Sequence, residues 1–131
     1  KKMNNLNEEN IVGIAALLVH AAKIDEQYSE NEKEIIKEFL KSYTNTSDLE
    51  KILKKAEEIE KNSNQLLNFT NIIKKNSDKV KTNIIERLWK IIISDNKVDQ
   101  YESNLMRRIC GLIYFPDKMS AEIKLRLLQK K

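Results

Sequence analysis

The chain has 131 residues, with 24 Lys and Arg against 20 Asp and Glu, a length that suits one domain, 1–131, whose core needs no staples. Its single cysteine excludes an internal disulfide and a Cys-rich metal site and fits a reduced, cytoplasmic setting, while a single histidine removes most zinc and non-haem iron constellations. Two glycines and one proline are too little turn chemistry for a strand-rich fold, so the chain reads as all-α, a single-domain bundle of roughly seven helices.

The first predicted helix covers 8–24. Ile11, Ile14, Ala15, Leu18, Ala21 and Ala22 form one face, and Val12, Ala16, Leu17 and Val19 fill much of the rest. A helix apolar nearly all round belongs in the middle of a core. The apolar run 11–22 is too short to span a bilayer. Glu8 and Glu9 make its leading flank acidic, which argues against a signal peptide.

Ser29 and Glu32 form a capping box before a second helix, 30–43, with Ile35, Ile36, Phe39, Leu40 and Tyr43 inward. Thr46 or Ser47 caps a third, 48–61, with Leu49, Ile52, Leu53, Ala56 and Ile59 at helical spacing. A fourth, 64–75, carries Leu66, Leu67, Phe69, Ile72 and Ile73. The fifth, 78–93, carries Val80, Ile84, Ile85, Leu88, Trp89, Ile91, Ile92 and Ile93, and is expected beside the first at the centre. Asp99 and Glu102 make another capping box, opening a sixth helix over 100–114. Pro116 ends that segment, and Ser120 opens a short last helix. Trp89 and Tyr114 read as core or half-core aromatics, and Cys110 as an inert buried thiol.

Charge is uneven. Residues 1–65 hold ten Lys and thirteen Asp and Glu, a net of −3, whereas residues 66–131 hold ten Lys, four Arg and seven Asp and Glu, a net of +7. That asymmetry fits either a solvated surface or an anionic partner. On the second reading, Lys97, Arg107, Arg108 and Arg126 are the contact residues. They would dock a helical adaptor on an anionic surface, a membrane or nucleic acid; for the chain as a whole a protein partner and peripheral association with the inner face of a membrane are expected. Nucleic acid is disfavoured, because no recognised binding motif with exposed aromatics accompanies the charge.

The chain also aligns with itself. LVHAAKIDEQYSENEKEII (18–36) falls on LWKIIISDNKVDQYESNLM (88–106), which sets Asp25 on Asp95, Ser29 on Asp99 and Glu32 on Glu102. Each copy is a buried helix, a short acidic turn, a capping box and an amphipathic helix. Two copies, about 8–43 and 78–114, imply an internal duplication of a helical hairpin within one domain, not a solenoid.

This doubled pattern resembles the TerB-like tellurite-resistance domains. The second copy is the closer match, through Leu88, Trp89, Asp95, Val98, Glu102, Leu105, Met106 and Arg108. The chain departs from the family pattern where a glycine follows each aspartate; Glu26 and Asn96 stand there instead. The resemblance implies an all-helical, non-enzymatic domain of bacterial stress-response systems, associated with tellurite and other toxic agents, with membranes and with metal ions.

Two readings of the acidic turns stay open. In one, Asp25, Asp95, Asp99, Glu32 and Glu102 satisfy backbone N–H groups and cap helices. In the other, the same five residues supply oxygens to a divalent cation such as Ca2+. The spacing is not that of an EF-hand, since Val98 occupies the middle of the second turn and no glycine is present. His20 has no second histidine to work with, and no catalytic constellation is visible, so the chain does not read as an enzyme.

Overall fold

A computed structural model describes residues 8–23, 28–43, 49–62, 67–93 and 100–129. Seven helices are found among them: α1 (Glu8–Ala22), α2 (Glu30–Lys41), α3 (Leu49–Asn62), α4 (Leu67–Ile73), α5 (Asp78–Ile93), α6 (Gln100–Leu112) and α7 (Asp117–Gln129). No strand occurs among the described residues. The all-α expectation holds.

The core follows from the two most apolar segments. α1 packs against α2, α3, α4 and α5, and α5 packs against α1, α2, α6 and α7. Ile14, Leu17 and Leu18 of α1 and Ile84, Ile85, Leu88, Ile91 and Ile92 of α5 are fully buried. Burying one such side chain stabilises the fold by about 1.5–3 kcal/mol relative to leaving it exposed. α2, α3 and α6 are amphipathic and lay one stripe on this centre, including Ile36, Phe39 and Leu40, then Ile52, Leu53 and Ala56, then Met106 and Ile109.

Gly13 of α1 lies against the Ile72 side chain of α4. A Cβ there would stand 2.7 Å from the Ile72 Cδ1 atom. α6 ends in a Schellman arrangement, with the Phe115 N–H donating to the Cys110 carbonyl at 2.8 Å and the Tyr114 N–H to the Gly111 carbonyl at 3.4 Å. The left-handed position that glycine usually fills is taken by Tyr114, at φ 61°.

Three expectations are corrected. Ser120 does not open the last helix. α7 begins at Asp117, after Pro116, whose carbonyl accepts the Ser120 N–H at 3.2 Å, because proline's fixed φ suits a helix start. Tyr114 is not a core aromatic. Its backbone conformation turns the ring outward, and it is 74% exposed. Ile59 lies outside the buried stripe of α3 and is exposed. The Thr46 or Ser47 cap and the Asp99–Glu102 box lie outside what is described, as do both turns that the self-alignment pairs. The duplication therefore stands as an expectation from the sequence.

Candidate functional site

The first joint connects α1 to α2 and rests on α3. Ser29, in extended backbone, is the N-cap of α2. Its Oγ accepts the Glu32 N–H at 3.2 Å, and Glu32 Oε1 accepts the Ser29 N–H at 2.8 Å. Glu32 is buried. The capping box read from the sequence therefore exists, and it occupies one of the five carboxylates considered for a cation.

α3 supplies two more carboxylates to this joint. Tyr28 donates its hydroxyl to Glu57 Oε2 at 2.6 Å. Glu60 accepts from Lys23 Nζ at 3.0 Å and from His20 Nδ1 at 3.1 Å. Lys33 Nζ stands 5.0 Å from the centre of the Tyr28 ring, within cation–π range. Burial, and then the hydrogen bond to Glu57, hold the Tyr28 hydroxyl in its neutral form well above the usual phenol range. The lone histidine is thus one arm of a hydrogen-bonded clamp that fastens the α1–α2 joint to α3.

Asp25, Asp95 and Asp99 lie outside the described residues, and so does the side chain of Glu102. Among the described residues, no three His, Cys, Asp or Glu side chains come together in a way that would hold a metal ion.

The basic face is arranged differently. In the N-terminal half, Lys23 pairs with Glu60, Lys33 with Glu30, and Lys37 with Glu34 and Glu50. Arg107, Arg108, Lys118, Lys124 and Arg126 form no ion pair with a described residue. Arg107, Arg108, Lys118 and Arg126 are all exposed. The fourth expected contact residue, Lys97, lies outside the described residues.

A groove of about 280 Å³ lies between α5, α6 and α7. Its floor is Trp89 and Met106, both buried, and its rim carries Arg107, Lys124, Asp117 and Ser103. The Trp89 Nε1–H donates to Ser120 Oγ at 2.9 Å, and Lys124 Nζ lies 5.2 Å from the centre of the indole ring. Cys110 sits behind this floor. Burial pushes its thiol up, against a smaller lowering by its hydrogen bond to Ser120, so it stays a protonated, inert thiol as expected.

The groove is hidden in the sequence because Ser120 reads there as a helix start. The available signal is the spacing of Ser120, Ile123 and Leu127. These share the inner stripe of α7, and a hydroxyl on an apolar stripe marks a buried hydrogen bond.

A family model described as tellurite resistance protein TerB matches residues 12–125, from within α1 to within α7. The chain belongs to the TerB family. No curated protein and no solved structure matches it. TerB is a helical, generally non-catalytic domain family associated with tellurite resistance, and the seven-helix bundle agrees with that class. The TerB match takes in both acidic joints and the α5–α7 groove, so both candidate regions fall within the family's own domain. No described helix is long and apolar enough to cross a membrane.

Proposed function

We propose that this TerB domain is a non-catalytic binding module of a bacterial stress response to tellurite and other toxic agents, and that its contact surface is the basic face of α6 and α7. One observation carries this reading: Lys23, Lys33 and Lys37 of the first half are paired within the fold, whereas Arg107, Arg108 and Arg126 are exposed with no described carboxylate partner. Unpaired surface cations on a rigid element attract an anionic partner at long range. The partner is a protein, and the module works in the cytoplasm, including at the inner face of the membrane. Retention of the chain on immobilised polyglutamate should fall steeply with salt and be lost when Arg107, Arg108 and Arg126 are all changed to Gln. Retention unchanged in that triple variant removes the reading.

A second reading keeps a divalent cation such as Ca2+ at the two acidic turns. It is supported by the recurrence of the same acidic turn in both halves of the sequence. Glu32 is already engaged as a cap, so the oxygens must come chiefly from Asp25, Asp95, Asp99 and Glu102. Titration with millimolar calcium, followed by amide chemical shifts, tests it. Shifts confined to 24–32 and 94–102 are the positive result; their absence ends the idea.

A further inference from the structure

The groove lined by Arg107 and Lys124 has features that the exposed Arg108 and Arg126 lack. Its volume, about 280 Å³, falls just below the range of about 300–1,000 Å³ typical of small-molecule sites. It is the right scale for a protruding side chain. Two cations, Arg107 and Lys124, and one anion, Asp117, line it, leaving a net lining charge of +1. That balance suits a singly charged group, and Asp117 opposes a dianionic phosphate.

The floor is preorganised. Trp89 is pinned by its hydrogen bond to Ser120, and its ring holds Lys124 Nζ at 5.2 Å. Less rotamer entropy is then lost on binding. Arg107 offers a planar fork of N–H donors and Ser103 a hydroxyl. Met106 and Ala121 add apolar surface. The recess admits a protruding side chain and not a flat bilayer.

We propose that the groove between α5, α6 and α7 receives one Asp or Glu carboxylate from an acidic segment of a partner protein, clamped between Arg107 and Lys124. This rests on the basic face being the contact surface and adds the point at which specificity is read.

Trp89 is the only tryptophan in the chain, so its emission reports on the groove. The full chain is titrated at low salt with an N-acetylated, C-amidated peptide of Glu, Ala and Leu, with its all-Gln counterpart, and with phosphatidylglycerol vesicles. The Glu peptide should change Trp89 emission and the Gln peptide should not. Arg107→Gln and Lys124→Gln should each weaken Glu-peptide binding about tenfold, and Arg108→Gln and Arg126→Gln about twofold or less. Equal losses in all four variants, or binding to vesicles but not to the Glu peptide, overturn the groove assignment while leaving the basic face standing. No binding of either probe at low salt overturns both.

Discussion

Trp89 on α5 and Ser120 on α7 are joined by a buried hydrogen bond of 2.9 Å, indole N–H to hydroxyl oxygen. They stand 31 residues apart in sequence. The same hydroxyl meets the Cys110 thiol of α6, so one small side chain ties three helices behind the basic face.

Replacing Ser120 with Ala leaves the indole N–H buried without its acceptor. The expected loss is about 1–3 kcal/mol, read as a lower urea midpoint with an unchanged slope. A Ser120→Ala variant as stable as the parent would show that the bond contributes nothing net.

Tyr114 occupies a left-handed backbone position that costs an L-residue roughly 1–2 kcal/mol. Its ring is exposed and meets only a lysine, Lys74, at 5.8 Å among the described contacts. Tyr114→Gly should therefore raise stability by about 0.5–1 kcal/mol, the relief of strain being partly offset by the greater freedom of glycine in the unfolded chain. Calorimetry should show a higher Tm; a lower one would mean that the ring does more for the fold than its exposure suggests.

Gly13 admits little. In Gly13→Ala the new methyl must push aside the end of Ile72, a half-buried and flexible side chain, while α1 gains helix propensity of about 1 kcal/mol. The two effects nearly cancel. Gly13→Leu has no such escape and should destabilise by about 1–3 kcal/mol as α4 is forced off α1. Paired denaturation curves of the two variants distinguish steric control by α4 from a simple propensity effect.

Glu32→Ala removes one half of the capping box and should cost about 1 kcal/mol. Glu32→Gln, whose amide oxygen still accepts the Ser29 N–H, should recover most of it. If Gln is as damaging as Ala, the charge itself, and not the cap, is what the buried position requires.

Alkaline pH should weaken the fold through Tyr28 and Cys110. Burial is the first cause at both, and both pKa values are raised above their usual 10.0 and 9.0. The folded chain thus holds these protons more tightly than the unfolded one. The associated stability is fully present below the unfolded values and is lost as pH rises past about 9. Urea midpoints measured from neutral to alkaline pH should decline less steeply in a Tyr28→Phe, Cys110→Ala double variant. An identical slope would assign the alkaline loss to other groups.

Much of the architecture is legible in the sequence because it depends on short-range physics. The apolar period of 78–93 matches α5 residue for residue, and the nearly all-apolar run 11–22 lies at the centre as α1. A capping box closes within three residues, so Ser29 and Glu32 are recognisable as partners from their spacing alone. Helix ends are less legible. α6 stops at Leu112 through a left-handed tyrosine that no turn rule selects, and this hides both the start of α7 and the role of Ser120.

The helical class, the two buried helices, the TerB resemblance and the division into an acidic and a basic half are therefore properties of the sequence alone. The resemblance rests on the doubled motif, and the others follow from composition or from neighbours three or four positions apart. Which charges are used up inside the fold is settled by tertiary packing instead. Glu60 reaches His20 across 40 residues and Tyr28 reaches Glu57 across 29, while the arginines of α6 and α7 find no such partner among the described residues. Pairing over that separation is set by how helices pack, and packing is a property of the whole chain that no local pattern encodes.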